Sequence, residues 1–283
     1  ILHGLVGSVM CIRESSYDIE SDTLEKIKDL SKKTVISQWF EDHLADTGPD
    51  FASNRKKLLK YDNFVTSNFI TTHPSTLDFL RKKKNFHYLP IPVDKNIEKL
   101  KIYENNNQIN DVFFSMSHGV NRGKLKRDKQ DERHNFITDL ITECPNIIFD
   151  IYGYNNREPV WAEDFYKVIV NSKMALNLTR GKPLKYLTSN RIASLIGNGL
   201  LTFIDKRTQL SNFFNGNEVI FYSGLEDLAN KINFYKSNDK KRINVAKKGR
   251  RKYFDLFECQ KVANYIISKS FNREISKKLK WMD

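Results

Sequence analysis

The sequence predicts an α/β protein of two domains, each built on a parallel sheet, and three observations lead there. The chain has 283 residues, and at roughly 100–200 residues per domain that length suggests two. Hydrophobic residues make up 40% and charged residues 29%, a globular composition that argues against a disordered or collagen-like chain. From residue 34 onward, short β-rich runs alternate with helical patterns, the mark of repeated β–α–β units.

In the first half, residues 22–32 read as a helix, with Asp22 and Glu25 at capping-box spacing. Residues 34–39 (TVISQW) read as a buried strand, 53–61 as a helix and 64–71 as a strand. Pro74 and Ser75 then open a helix that runs to about residue 83, with Ser75 as its N-cap. Residues 86–89 form a short strand closed by Pro90-Ile91-Pro92. The stretch 93–110 is charged, Asn-rich and weakly periodic, and reads as a linker.

The second half is clearer. Strands are expected at 112–116, 147–152, 174–179, 200–204 and 219–222, with helices at 131–143, 161–172 and 189–198 and a short helix before the last strand. Gly199 is placed as the left-handed residue that ends the 189–198 helix. Helices then continue from 225 to 270, expected to pack back on the first domain. The expected division is a Rossmann-like domain over 1–93, a linker over 94–110, a second Rossmann-like domain over 111–270 and a basic tail over 271–283.

Charge and cysteines narrow the class. The formal net charge is +13, and residues 236–283 hold fifteen Lys or Arg against five Asp or Glu. One reading is a solvated helical face; another is a patch drawn to anionic lipid headgroups, where each basic residue near the surface is worth ~1 kcal/mol. The aromatics of this segment (Tyr253, Phe254, Phe257, Tyr265) fall at helical spacing, as core residues do, so nucleic acid ranks below a membrane surface. Cys11, Cys144 and Cys259 lie far apart, which excludes a zinc ribbon and a disulfide framework and points to reduced thiols in a cytoplasmic setting. No apolar run approaches the ~18–20 residues of a membrane-spanning helix. There is no D-x-D and no histidine pair at ligand spacing, so neither a metal nor another cofactor is expected. The chain begins Ile1-Leu2-His3, without Met or signal peptide, and reads as a fragment lacking its original N-terminus.

Ligands of open α/β sheets bind beyond the carboxyl ends of the strands, which selects three windows in the second half. The first, HGVNRGK at 118–124, offers Gly119 for close backbone approach and Arg122 and Lys124 as cations; its alternative is an ordinary exposed loop. The second is Tyr152-Gly153-Tyr154, where a ring could stack on a nucleobase or simply pack. The third, RGKPLKYLTSNR at 180–191, holds Arg180, Lys182, Lys185 and Arg191 with no carboxylate, and Asp205 is the only acidic residue between 165 and 217. Self-repulsion in such a cluster is relieved by an anion. Its residues Tyr186, Ser189, Asn190 and Arg191 lead into the helix whose N-terminus would meet that anion. A bound diphosphate and an incidental basic loop are the two readings.

The run TSNRIASLIGNGLLTFID (188–205) resembles the pattern of an Arg-bearing helix, a glycine and a short apolar strand in the CgeB-like branch of GT-B glycosyltransferases. Residues 218–235 and 242–254 are similar to that family's closing helices, and YLPIPVDK (88–95) resembles its interdomain junction. The resemblance spans roughly 34–270. It implies a GT-B type α/β fold of two Rossmann-like domains whose parallel sheets face a cleft, with an acceptor on the first and a nucleotide-sugar, as substrate, on the second. Many members carry a ribose-binding glutamate three residues after the matching arginine; Ser194 stands there instead.

The expected activity is transfer of a hexose from a nucleotide-diphosphate donor to a glycan, lipid-linked or surface-polymer acceptor, in the cytoplasm or on the inner face of the membrane. Glu41, Asp42 and His43 follow the 34–39 strand at the cleft end of the first domain, where an inverting transferase needs a base; helix capping is the alternative for Asp42. His73 is a second candidate for acceptor contact, and His87 reads as a packed or linker histidine. The competing functions are a non-catalytic sugar-nucleotide or polysaccharide-binding relative, which Ser194 favours, and a basic nucleic-acid-associated protein.

Overall fold

The computed structural model describes residues 9–13, 19–46, 48, 50–117, 120–121, 124–125, 132–275 and 278–282. The chain divides into two compact units: Ile1–Pro90 with Leu184–Leu187 and Cys259–Asp283, and Ile91–Pro183 with Thr188–Glu258.

The first unit is a four-stranded parallel sheet of β1 (Val9–Arg13), β2 (Val35–Phe40), β3 (Ser67–Ile70) and β4 (Phe86–Tyr88), in that spatial order. Helix α1 (Ser21–Leu30) connects β1 to β2, and α2 (Phe51–Lys60) connects β2 to β3. β1 lies ahead of the first strand expected from the sequence. Glu20, not Asp22, takes the N-cap of α1 and makes no side-chain cap bond, so the capping box is not formed; Asp22 sits in the first turn, where its charge suits the helix dipole.

The helix expected over 75–83 is replaced by two short 3₁₀ turns, Pro74–Thr76 and Asp78–Leu80. Leu77, between them, is extended (φ −111°, ψ 99°). Leu77 and Leu80 both enter the core formed by Phe40, Leu44, Leu58 and Phe86, and burying both side chains outweighs helix propensity here. The cap comes from His73, whose Nδ1 accepts from Ser75 N at 3.3 Å.

The second unit contains β5 (Asn110–Ser115), a small antiparallel pair β6 (Val120–Asn121) and β7 (Lys124–Leu125), then α3 (Glu132–Glu143), β8 (Phe149–Tyr152), α4 (Ala162–Ile169), β9 (Ser172–Asn177), α5 (Arg191–Gly197), β10 (Leu201–Asp205), β11 (Ile220–Tyr222), α6 (Leu225–Ser237) and α7 (Asp239–Phe257). Its main sheet is parallel, in the order β11-β10-β9-β5-β8. Side chains alternate between two cores, as a sheet covered on both faces requires. Val112, Phe114, Met174 and Leu176 face one core, and Phe113 and Ala175 the other. Gly199 adopts φ +84°, and a Cβ there would lie 2.5 Å from Tyr103 Cδ1, so the turn into β10 admits little besides glycine.

The stretch 94–110 is not a free linker but part of the second unit. Val93 N donates to Phe257 O at 2.9 Å, Ile102 and Tyr103 are buried, and Glu98 is only 5% exposed. Past Glu258 the chain returns to the first unit as α8 (Cys259–Ser270), whereas the sequence reading assigned 259–270 to the second domain. Its Ser270 Oγ and the Ser37 Oγ of β2 form a buried hydrogen bond of 2.6 Å.

Candidate functional site

In the second unit the chain runs from β5 out to β8, then returns to place β9 on the opposite side of β5. The topological switch point therefore lies at the carboxyl ends of β5 and β9, where an open parallel sheet binds its ligand. Arg191, the first residue of α5, stands there. Its Nη2 donates to Leu178 O, just beyond β9, at 2.6 Å. Its guanidinium lies over the Phe114 ring of β5, 5.2 Å from the centroid, a cation–π placement that orients the group. Beside it, Ser189 Oγ donates to Asn177 Oδ1 at 2.8 Å. The first turn of α5 holds no acidic residue.

A pocket of about 190 Å³ opens at the carboxyl ends of β9, β10 and β11, lined by Asn177, Leu178, Thr179, Gly181, Asp205 and Tyr222, with Glu132 and Arg133 from α3. Asp205 caps the following turn by accepting from Arg207 N at 2.8 Å. It also takes Arg207 Nη2 at 2.6 Å. Burial, and then the Asp205 carboxylate, hold the Tyr222 phenol far above its usual range, so it stays protonated. Asn177, Asp205, Arg207, Tyr222 and Glu132 were not singled out from the sequence. The strand-end rule points to the first four; nothing local points to Glu132, whose carboxylate accepts from Gly181 N across 49 residues. The 180–191 window thus has a carboxylate against its backbone after all.

The structure divides that window. Arg180, Ser189, Asn190 and Arg191 belong to the second unit, and Lys185 and Tyr186 to the first. Tyr186 is buried at φ +62°, with its ring 5.1 Å from that of Tyr88 and 5.3 Å from that of His73; Lys185 Nζ lies 4.9 Å from the Tyr186 ring. Tyr152 packs its ring on Phe113 (6.0 Å) and under the Arg157 guanidinium (3.6 Å). Tyr154 packs on His134 at 4.7 Å and shares a hydrogen bond with Thr138. Both rings are therefore engaged within the unit. Gly153 between them adopts φ +75°, and a Cβ there would meet Met116 O at 1.9 Å. Gly119 and Arg122 lie outside the described residues, and Lys124 begins β7.

Ser194 Oγ lies 3.3 Å from Tyr166 OH, which donates to Glu98 Oε1 at 3.3 Å. Burial pushes the Glu98 carboxyl up, against the lowering effect of the Asp94 N–H and the Tyr166 hydroxyl. In the first unit, Glu41, Asp42 and His43 follow β2 and are half-buried. Glu41 O accepts from Thr71 Oγ1 at 3.4 Å, His43 O from Asn54 Nδ2 at 3.0 Å, and His43 Nδ1 from Ala45 N at 3.2 Å. A neutral His43 accepting at Nδ1 carries its proton on Nε2. Among the described residues no cluster of three or more His, Cys, Asp or Glu side chains could hold a metal ion. No described helix is long and apolar enough to cross a membrane.

Residues 129–268 match the model of a family described as glycosyl transferase-like. No curated protein matches the chain. Among solved structures, HepE of Anabaena in complex with UDP and glucose is similar at a TM-score of 0.62 and 13% identity, over 89% of this chain and 76% of that one. TarM of S. aureus is similar at 0.58 and 13%, over 93% of this chain and 54% of its own. An α-glucosyltransferase in complex with UDP and a DNA 13-mer is similar at 0.58 and 13%, over 93% and 80%. The two parallel-sheet units together make the GT-B type α/β fold, and most of the segment that matches the glycosyl transferase-like family lies in the second, with residues 184–187 and 259–268 of it in the first.

Proposed function

We propose that this chain is a glycosyltransferase of the CgeB-like branch, which moves a hexose from a nucleotide-diphosphate donor to a glycan, lipid-linked or surface-polymer acceptor. The observation that carries the reading is the Arg191 guanidinium, fixed between the Leu178 carbonyl and the Phe114 ring at the switch point of the second sheet. A guanidinium held at that point puts a fixed positive charge where a diphosphate would bind, and its contact to phosphate is charge-assisted. As the glycosidic bond breaks, negative charge develops on that leaving group. A well-placed cationic donor stabilises it by about 3–4 kcal/mol. Arg180 and Lys182 add positive potential on the same loop, and by residue type Gly119, Arg122 and Lys124 remain further candidates for the diphosphate in this reading. On the acceptor side, His43 with its proton on Nε2 is a donor, which leaves Asp42 or Glu41 as the base that takes the acceptor hydroxyl proton.

HepE and the α-glucosyltransferase are described as complexes with UDP, which makes UDP-sugars the first donors to test. A panel of nucleotide-sugars followed by thermal shift separates the readings, since a ligand at a hundred times its Kd stabilises by about 2.7 kcal/mol. One donor should raise the melting temperature and be consumed with release of its nucleoside diphosphate. No shift with any nucleotide-sugar would overturn the proposal. The second reading, a non-catalytic sugar-nucleotide-binding relative, is favoured by Ser194 and predicts the shift without turnover. In the cytoplasmic setting of this proposal, the exposed Lys240, Lys241, Lys247, Lys248 and Arg251 of α7 form the face that would meet an anionic membrane.

A further inference from the structure

The first unit contains a second cavity, of about 480 Å³, which shares His73, His87 and Tyr88 with the residues considered above. It lies along β4, which among the described residues pairs with β3 alone, and is walled by α8 with residues 273–275, 278, 281 and 282. Its floor is aromatic: Tyr265 and Trp281 are buried and meet edge to face at 4.6 Å, and His87 of β4 packs between Phe69 (5.6 Å) and Tyr265 (6.4 Å). Lys269, Arg273 and Lys278 also line it, against one carboxylate, Glu274. Among the described residues none of these three cations forms an ion pair. Burial, together with the Lys269 ammonium, holds the His87 imidazole at about 4, so at neutral pH the ring is uncharged and brings no charge to the balance.

We propose that this cavity is a phosphate-ester site, in which Lys269, Arg273 and Lys278 bind the phosphate of a polyol-phosphate or sugar-phosphate acceptor while the aromatic floor seats its carbon skeleton. Three cations on one concave surface, against a single carboxylate, repel one another until an anion enters, and the buried Tyr265 and Trp281 rings beside them keep water from part of each contact. Phosphate suits them because each lysine or arginine contact to it is charge-assisted. The cavity also touches His73 and Tyr88, at the carboxyl ends of β3 and β4, the side of a parallel sheet on which ligands are presented. Calling the ligand an acceptor rests on the glycosyltransferase reading; the phosphate site itself does not.

The test follows the His87 imidazole by ¹H–¹⁵N NMR in the full chain while glycerol 3-phosphate, inorganic phosphate or uncharged glycerol is added. Glycerol 3-phosphate should shift the His87 resonance saturably, inorganic phosphate more weakly, and glycerol not at all. Lys269→Gln with Arg273→Gln, both at solvent-accessible positions, should weaken binding at least tenfold and leave the thermal shift by the nucleotide-sugar donor unchanged. Inorganic phosphate binding as tightly as the ester would overturn the ester assignment, and equal responses to glycerol and its phosphate would overturn the site. Loss of the donor shift in wild-type protein, with the His87 response intact, would instead remove the glycosyltransferase reading and leave the phosphate site standing.

Discussion

At the residue scale, two side chains carry opposite consequences for function and stability. Arg191→Ala should lower donor affinity or turnover by tens- to thousands-fold, since a charge-assisted contact to a developing oxyanion is worth about 2–4 kcal/mol and each ~1.4 kcal/mol is tenfold. From the sequence alone, removing one of four clustered cations is expected to relieve repulsion and raise the melting temperature. The structure reverses that expectation. Arg191 satisfies the Leu178 carbonyl at 2.6 Å, and Leu178 is only 8% exposed, so the variant should lose about 1 kcal/mol of stability. A melting temperature above wild type, in the absence of donor, would show that repulsion dominates. Asp111 plays the purely structural part. It is 2% exposed, and it accepts from Ile148 N at 3.0 Å and pairs with Lys236 at 2.8 Å and Lys173 at 3.3 Å. Burial alone would raise its carboxyl; the Ile148 N–H and the two ammonium groups overcome that and hold it below the ordinary 3.8. A depressed carboxyl contributes stability that is present above its unfolded-state value and lost as pH falls through its folded one. Asp111→Asn should therefore cost about 2–4 kcal/mol at pH 7, and the gap from wild type in urea titrations should close below the ordinary carboxyl range. A gap that persists unchanged at pH 2.5 would mean that packing, not charge, makes Asp111 matter.

At the element scale, the second sheet was legible because its strands are buried on both faces and read as continuous apolar runs, with Gly199 marking the turn between α5 and β10. The first unit was less so. β4 (Phe86–Tyr88) matches the strand read at 86–89, but β1 has no counterpart in the sequence reading, and Leu77 gives up a helix for its place in the core, which no local pattern records. The 93–110 stretch looked like a linker because its anchoring residues, Val93, Glu98, Ile102 and Tyr103, are isolated among charges. Their partners lie on other elements: Val93 reaches Phe257 and Ile102 N reaches Asn198 O. The same blindness to distant partners hid Glu132 behind the basic window. α7 is the element whose exposed face invites a test. Val245, Ala246, Gly249 and Tyr253 are buried, while Lys240, Lys241, Lys247, Lys248 and Arg251 are exposed. Their attraction to an anionic surface is worth about 1 kcal/mol per residue and is screened over a Debye length of about 8 Å at physiological salt. Binding to vesicles containing phosphatidylserine should fall steeply with added salt and be absent for neutral lipid. Binding indifferent to lipid charge would leave α7 as a solvated face.

At the scale of the whole molecule, the path of the chain matters more than its order along the sequence. The first unit is assembled from the beginning, a four-residue piece of the middle and the end of the chain, so its stability depends on residues read last. α8 lies against β2 and β3: Ser270 bonds Ser37 at 2.6 Å, Ser67 Oγ donates to Lys269 O at 3.3 Å, and Tyr265 meets Phe69 at 5.9 Å. Val262, Tyr265 and Trp281 are almost fully buried. Each large apolar side chain so buried contributes about 1.5–3 kcal/mol, and the sum approaches the ~5–15 kcal/mol by which a domain is stable at all. The second unit, by contrast, closes at Glu258 through the Val93–Glu258 bridge and the Tyr253 hydroxyl, which donates to Ile91 O at 2.8 Å. A chain ending at residue 258 should therefore keep slow amide exchange in β5, β9 and β10 while β2 and β3 lose protection by several orders of magnitude. It should still bind the nucleotide-sugar donor, because every residue of the switch-point site remains. Equal protection of β2 and β3 with and without residues 259–283 would mean that the first sheet holds itself together, and that α8 merely covers it.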